Sequence, residues 1–242
     1  MSLSTTARDT VMSTPELLEL LLAQLPMRDL LLRAPLVCKM WFATTRAPAL
    51  QRALFFAPAP DTPSAFESTP APVRNPLLAE LFPPFFAPPP PNRMSWADVR
   101  ANNRMFWPDA RAIMAMPVAR ALAPFARRDA SWRRMLVAQP PPRTLRVTER
   151  CNGRTEIFDR RAELRGLELR MGELYDLVLG SVKWAAASFC VTWPEAVGRE
   201  SELTLETVSM SQYVMGIDEV FHGQGEEPSP EFGEWVRVGR AS

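Results

Sequence analysis

Residues 14 to 42 place leucine at helical spacing among charged and small residues. Proline at position 15 suits the first turn of a helix, where its missing N–H is not needed, and Thr14 before it is a suitable cap. With a period of 3.6 residues, most of the leucines that follow fall on one arc, and Leu20 falls outside it. The pattern predicts an amphipathic helix whose apolar arc consists of Leu17, Leu18, Leu21, Leu22 and Leu25.

Two further short helices are predicted within the same stretch. Pro26 should end the first helix, and Asp29 offers a cap for a second one that carries three leucines. A unit of this size cannot cover every apolar side chain it presents, so part of its surface should meet the rest of the chain or a separate protein. The third helix should begin near Pro35 with two apolar sides, one formed by Leu36, Val37, Met40 and Trp41 and the other by Cys38 and Phe42.

The spacing of these residues resembles that of an F-box over residues 11 to 56. The similarity lies in Pro15-Glu16-Leu17-Leu18, Leu25-Pro26, Asp29-Leu30, Val37-Cys38, Trp41, Leu50 and Leu54-Phe55. Thr14 departs from the pattern where many F-boxes have leucine, and Pro35 departs from it where a polar or basic residue is more usual. The resemblance implies a small three-helix bundle that docks on the Skp adaptor of cullin-based SCF ubiquitin ligases.

The family pattern also implies which residues face the adaptor. Some of them must instead hold the module together, and the sequence does not divide the two groups. Trp41 and the residues around Pro26 are the first candidates for anchors, because a few large side chains usually dominate interface energy. The alternative is a three-helix subdomain that packs on the rest of the chain. The implied adaptor-facing set is Pro15, Leu17, Leu18, Leu21, Leu22, Leu25, Pro26, Leu30, Val37, Cys38 and Trp41.

Residues 57 to 92 are predicted to be a proline-rich linker. Residues 58 to 91 hold 12 of the 25 prolines, a density that excludes long helices and central strands. One helical turn is expected after Asn75, which can cap it, and Phe85 and Phe86 follow. These apolar groups should anchor the segment on the following domain, although a free peptide motif or a polyproline ligand for an SH3 or WW domain is the alternative.

Residues 93 to 242 are predicted to form one mixed α+β domain. Helical patterns cover residues 108 to 139, with breaks at Pro117 and Pro124, and also residues 171 to 179. Trp132, Met135 and Leu136 share a face in the first of these regions. Asn152-Gly153 suits a two-residue turn between strands, which would place Glu149 opposite Glu156. No repeat typical of leucine-rich, WD or kelch platforms is present. The predicted strands are residues 144 to 151, 154 to 159, 187 to 193 and 202 to 209.

A second resemblance covers much of residues 75 to 179. It lies in the segments NPLLAELFPPFF, RRDASWRRMLVAQPPPRTL and RGLELRMGELYDLVL. These are similar to segments of F-box proteins from filamentous fungi whose C-terminal region is otherwise uncharacterised. This likeness implies no particular substrate.

The net charge of +1 argues against wholesale binding of nucleic acid or membrane, but the charges are unevenly distributed. Residues 93 to 170 carry 17 Arg and 8 acids, whereas residues 171 to 242 carry 4 basic groups and 12 acids. These charges can pair within one domain or remain solvated. They can also form an arginine-lined site for an acidic or phosphorylated segment, because Arg binds carboxylate and phosphate in a bidentate manner.

The residues that carry most enzyme chemistry are sparse. Cys38, Cys151 and Cys190 lack the spacing of a disulfide framework or a zinc site, and the N-terminus lacks the pattern of a signal peptide or membrane span. His222 lies in an expected loop, and a hydrolase or transferase within residues 93 to 242 would have to use it. No phosphate loop or dinucleotide motif is present. We therefore expect no enzyme activity, no cofactor and no metal.

The F-box resemblance implies a substrate-receptor subunit of an SCF-type ligase. Residues 11 to 56 would bind the Skp adaptor and, through it, cullin, while residues 93 to 242 would recruit a protein substrate whose identity the sequence does not give. The alternative is an F-box scaffold or regulator that acts outside the ligase. The expected location is the cytoplasm, the nucleus or both.

Overall fold

The chain folds into two compact units, residues 1 to 61 and residues 62 to 242. The computed structural model describes residues 12, 14–60, 72–88, 107–116, 127–151, 156–164, 168–185, 188–194, 202–209, 234 and 236–240.

The described part of the first unit is helical, and its elements are shorter than the sequence predicts. Thr14 occupies the position before the first helix, but its side chain does not cap it. Asp29 was expected to cap the second helix and instead lies in its first turn, where it forms an ion pair with Arg33 at 3.0 Å. The helices are α1 (Pro15–Leu22), α2 (Met27–Leu32), α3 (Ala34–Val37), α4 (Lys39–Thr44) and α5 (Pro48–Ala53).

The prediction of one helix from Pro35 onward, and hence of three helices in this unit, is wrong. Cys38 has an extended backbone, with φ −165° and ψ 171°, so α3 ends before it and α4 begins after it. The hydroxyl of Thr44 donates to the Met40 carbonyl at 2.9 Å, and that of Thr45 donates to the Phe42 carbonyl at 2.8 Å. Such bonds to earlier carbonyls compete with the helical pattern, and α4 ends here.

The core of the first unit is a cluster of aliphatic side chains from α1, α2, α3 and α5. Leu25 and Trp41 are half-buried and pack against it. After α5, Phe55 adopts a left-handed backbone with φ 59°, a conformation that costs a bulky residue about 1 to 2 kcal/mol. Its ring is buried, which holds this turn in place. The core consists of Leu18, Leu22, Leu30, Ala34, Leu50 and Leu54.

The second unit begins its described part with β1 (Val73–Arg74), α6 (Pro76–Leu81) and α7 (Pro83–Phe86). The predicted cap is confirmed, since Asn75 Oδ1 accepts from the backbone N–H groups of Leu77 and Leu78 at 3.1 Å. Asn75 Nδ2 also donates to the Leu136 carbonyl at 3.2 Å, and β1 pairs with β2 (Ala138–Gln139). The described part of the predicted linker from residue 72 to residue 88 therefore belongs to the second unit.

In the described residues, the main sheet of the second unit has five strands and mixes parallel and antiparallel pairs, so the α+β prediction is confirmed. Its order is β5-β6-β3-β4-β7, in which β3 and β6 are parallel and the other neighbours are antiparallel. The strands are β3 (Thr144–Cys151), β4 (Glu156–Glu163), β5 (Ser188–Thr192), β6 (Glu202–Ser209) and β7 (Val236–Arg240).

The β3–β4 hairpin has a longer connection than the predicted two-residue turn. Glu149 pairs with Phe158, so it does not lie opposite Glu156, and the like-charge contact of the predicted register is avoided. In this register Leu145 pairs with Ala162, and both are buried. Asn152 and Gly153, on which the two-residue prediction depended, lie outside the described residues.

The described helices of the second unit that follow α7 are α8 (Ala110–Met114), a 3₁₀ helix (Ser131–Arg134) and α9 (Met171–Ala185). The predicted helix at 171 to 179 is confirmed as the beginning of α9. Gly172 lies against the 3₁₀ helix, where an added Cβ would be 3.0 Å from the Arg133 carbonyl oxygen, so a larger residue would require a shift of a few tenths of an ångström. The helical prediction for residues 108 to 139 is wrong from Met135 onward, because the backbone there is extended and leads into β2.

An aromatic cluster connects α6, α7, α9, the 3₁₀ helix and β5. The rings of Phe82 and Trp132 are 4.9 Å apart between centroids, and those of Phe85 and Phe189 are 5.0 Å apart. Tyr175 of α9 completes the cluster, 5.3 Å from the ring of Trp132. Phe85 and Phe82 are fully buried, so the proline-rich segment supplies the centre of this core.

Candidate docking surface

The leucines of α1 fall into three groups that differ in their exposure to solvent. Leu18 and Leu22 are fully buried in the core of the first unit. Leu17 and Leu21 lie at the edge of the same arc and are 41% and 40% exposed, while Leu20 is 65% exposed. The helix is long enough to bury one narrow stripe, and the rest of its apolar arc remains on the surface.

The adaptor-facing set that the sequence implies divides in the same way. Leu18, Leu22 and Leu30 belong to the core, and Leu25 and Trp41 are half-buried against it. The remaining six are exposed, namely Pro15, Leu17, Leu21, Pro26, Val37 and Cys38.

The helices that carry these exposed residues contact one another. Helix α1 packs against α4, and α3 packs against both α2 and α4. The extended backbone at Cys38 lies between α3 and α4, so Val37 and Cys38 are at the joint of two helices rather than on one continuous helical face. The structure thus places the exposed members of the set on neighbouring elements of one small unit.

Other large apolar side chains of this unit are exposed but are not in the predicted set. Leu36 is the most exposed of them, at 83%. The signal that could have found Leu36 and Met40 was present, because the sequence places them beside Val37 on one side of the third helix. The full group is Leu20, Leu32, Leu36, Met40 and Phe42.

Charged groups of both signs lie on these helices, including an exposed glutamate in the first turn of α1. Lys39 is exposed at the start of α4, and the guanidinium of Arg46 lies over the ring of Phe42, 4.5 Å from its centroid. Arg33, which follows the last residue of α2, is exposed and forms an ion pair with Asp29.

The uneven charge of the second unit is expressed partly as internal ion pairs. Arg146 of β3 and Arg161 of β4 lie opposite each other in the sheet. Both form ion pairs with Glu202 of β6, at 3.7 and 3.1 Å. Arg133 pairs with Asp176 of α9. In the described part of the chain, the arginine-rich and acidic segments thus partly neutralise each other, in agreement with the interpretation of pairing within one domain.

Two titratable groups of α9 have shifted pKa values. Burial raises the pKa of Asp176 above its ordinary value, and the charge and hydrogen bond of Arg133 oppose that shift. Burial also raises the pKa of Tyr175, with a further contribution from the charge of Asp176. Since Tyr175 stacks within the aromatic cluster and Asp176 pairs with an arginine, both shifts follow from packing.

Across the described ranges, no cluster of three or more His, Cys, Asp or Glu side chains could hold a metal ion. His222 lies outside the described residues. Cys38 is exposed on the first unit, and Cys190 is buried in the second. None of the helices in the described part of the chain is both long and apolar enough to span a membrane.

Comparison of the chain with protein-family models, with curated proteins and with solved structures gives no match.

Proposed function

We propose that residues 11 to 56 are an F-box that docks on the Skp adaptor of a cullin-based ubiquitin ligase. The observation that supports this most directly is the division within α1 and α3. The unit has its own buried core, and yet Leu17, Leu21 and Val37 remain exposed at positions where the family pattern has adaptor contacts. Exposed apolar groups at neighbouring positions are typical of a protein interface.

The energetics agree with a partner of this kind. Covering a leucine side chain that is partly exposed contributes on the order of 1 kcal/mol, so several such residues together can support a stable complex. Trp41 and Leu25, half-buried against the core, would act mainly by shaping the surface that Leu17, Leu21 and Val37 present.

The second unit would recruit the protein that is to be ubiquitinated. Its role would be to hold that protein close to the transfer machinery, since proximity itself accelerates the reaction. Residues 93 to 242 would do this together with the structured segment from β1 to α7, because that segment supplies part of the core. The ligation chemistry would reside in other subunits, and the protein would act in the cytoplasm, the nucleus or both.

The direct test is calorimetric titration of the full chain with purified Skp adaptor. We expect a complex, and we expect the Leu17→Ala/Leu21→Ala double variant to weaken it by about 10- to 100-fold, at roughly 1 kcal/mol or somewhat more for each leucine. Leu20→Ala is the matched control, because Leu20 is on the same helix and is more exposed but is not in the implied set.

The absence of any complex with the unaltered chain would refute the proposal. An equal loss of affinity with Leu20→Ala would mean that the interface lies on a different side of α1. Adding cullin to the assembled pair then separates a ligase subunit from a scaffold, because a scaffold outside the ligase binds the adaptor without recruiting cullin.

A further inference from the structure

Arg74 of β1 is a cation that the chain holds in place without an acidic partner. Its guanidinium lies over the ring of Trp193, 5.3 Å from the ring centroid, and its Nη1 donates to the Phe86 carbonyl at 3.3 Å. In the described part of the chain, no carboxylate forms an ion pair with Arg74. A guanidinium has several N–H donors in a planar fork, so most of those of Arg74 remain open to a ligand.

The side chains on which Arg74 rests are buried and held by their own contacts. Trp193 follows β5, is 6% exposed, and stacks on Phe86 with ring centroids 4.9 Å apart. Its Nε1 donates to the Phe85 carbonyl at 3.2 Å, which fixes the plane of the indole. The guanidinium is therefore oriented before any ligand arrives, and little side-chain freedom is lost when one binds.

This position is unfavourable for a cation that has no counter-charge. Partial burial lowers the pKa of Arg74 below its ordinary value, because loss of water disfavours the charged form. In the same unit, Arg133, Arg146 and Arg161 are all paired with acids. An anion supplied by a ligand would provide the interaction that Arg74 lacks within the chain.

The backbone of Arg74 also faces an open strand edge. Among the described strands, β1 pairs with β2 only. The Asn75 N–H donates to the Val137 carbonyl at 3.0 Å, and bonded residues alternate along an antiparallel pair with residues whose backbone groups point to the other side. The N–H and C=O of Arg74 therefore point away from β2, toward a side where an extended segment can pair with them.

We propose that β1 binds an extended segment of the recruited protein and that a carboxylate of this segment pairs with the Arg74 guanidinium. This inference rests on the proposed function, since it names the chemistry by which the second unit would hold its target. A residue that exchanges backbone hydrogen bonds with Arg74 lies opposite it, with its side chain on the same face, so an Asp or Glu there meets the guanidinium. The next residue of the segment faces the side of Val73, which is 63% exposed, so an apolar residue beside the acid fits this site.

A carboxylate suits this site better than a phosphate. Arg74 contributes a single positive charge, which one carboxylate neutralises through parallel N–H···O bonds. A phosphorylated side chain carries about 1.5 to 2 negative charges at neutral pH and is bound best where several arginines converge. The expected ligand is therefore an extended acidic peptide in which an apolar residue is next to the acid.

Selection from a random library of phage-displayed peptides on the full chain tests the site. The recovered peptides are synthesised and titrated with the unaltered chain and with its variants. We expect enrichment of an acid beside an apolar residue, and a loss of affinity of about tenfold or more with Arg74→Gln, because a charge-assisted pair is removed. Arg74→Lys keeps the charge without the fork and should still weaken binding by about threefold or more. Arg111→Gln, at an exposed arginine of α8, is the matched control and should change affinity by less than about twofold.

Changes in the tightest peptide test whether the two charges are in direct contact. Replacing its acid with Gln should cost as much as Arg74→Gln, and the two changes together should cost little more than either alone, since they remove the same pair. Replacing the acid with phosphoserine should not improve binding. Additive losses, recovered peptides that bind Arg74→Gln equally well, or no recovered peptide at all would overturn the proposal, and tighter binding of the phosphoserine peptide would overturn the choice of carboxylate.

Chemical labelling of the unaltered chain tests the contact without any variant. Arginines are modified with phenylglyoxal, with and without the tightest peptide at about ten times its Kd, and each site is followed by mass spectrometry. Modification of Arg74 should slow by about tenfold, because only the free chain reacts there, while Arg111 should change by less than about twofold. Equal rates at Arg74 with and without peptide would contradict the proposal.

The Skp adaptor separates this inference from the proposal for the first unit. Arg74→Gln should bind the adaptor within about twofold of the unaltered chain, because the implied adaptor contacts lie in residues 11 to 56. Adaptor binding without an Arg74-dependent peptide would overturn the peptide site and leave the F-box proposal standing. An Arg74-dependent peptide without adaptor binding would establish the site and count against the F-box.

Discussion

Many large apolar side chains are at least partly exposed in the first unit, whereas most of those of the proline-rich segment in the second unit are buried. In the first unit, Leu36 and Leu20 are mostly exposed although they belong to a leucine-rich segment. In the second unit, a segment full of proline buries Phe82 and Phe85 completely. Apolar content therefore does not indicate which part of this chain is core. What matters is whether other elements of the same unit are available to cover a given side.

The difference follows from the lengths and arrangement of the elements. The described helices of the first unit have between four and eight residues, so each can bury one side against its neighbours and leaves the other exposed. The second unit has a five-stranded sheet and α9, which contacts β5 and β6. Those larger elements, with the segment from β1 to α7, enclose an aromatic core.

The largest loss of stability is expected for a substitution at Phe82. Replacing it with Ala should destabilise the second unit by about 3 to 5 kcal/mol, because a fully buried ring leaves a cavity among Phe85, Trp132 and Tyr175. Urea unfolding followed by tryptophan fluorescence measures the change. Val73→Ala, at an exposed position of the same segment, is the control and should change stability by less than about 0.5 kcal/mol. A small effect of Phe82→Ala would mean that the proline-rich segment is a linker after all.

The contrast within α1 can be sharpened with two leucines that are two residues apart. Leu22→Ala should destabilise the first unit by about 2 to 5 kcal/mol, because Leu22 is fully buried in its core. Leu20→Ala should change stability by less than about 0.5 kcal/mol. Hydrogen exchange of residues 15 to 53, measured by mass spectrometry, reports the stability of this unit. Equal effects of the two substitutions would contradict the division of α1 into a core side and a surface side.

A smaller effect is expected for two helix caps of the second unit, one buried and one exposed. Asn75→Ala should cost about 1 to 3 kcal/mol, because it removes a buried cap and the hydrogen bond to the Leu136 carbonyl. Asp109 caps α8 through the same two types of bond but at an exposed position, so Asp109→Ala should cost about 1 kcal/mol or less. Thermal unfolding of both variants measures the difference, and a larger loss for Asp109→Ala would count against the structural role assigned to Asn75.

Several local features could be predicted because short-range chemistry decides them. The Asn75 cap follows from a side chain that reaches two N–H groups of its own helix, and strands β5 and β6 follow from alternating or continuous apolar residues. The break at Cys38 could not be predicted, because nothing in its residue type requires an extended backbone. The register of the β3–β4 hairpin was also missed, since it depends on cross-strand partners such as Ala162 and Glu202 as well as on the turn sequence.

The sequence by itself determined where α1, β5 and β6 lie, which residue caps α6, and that the leucine-rich segment has more apolar surface than a small unit can cover. The tertiary structure decided which side chains are buried. It assigned Leu18, Leu22 and Leu30 to the core and left Leu17, Leu21 and Val37 exposed, and it made the segment around Phe82 part of the second core. The reason is physical: periodicity fixes which side chains share a face, whereas burial depends on the elements that the rest of the chain brings against that face.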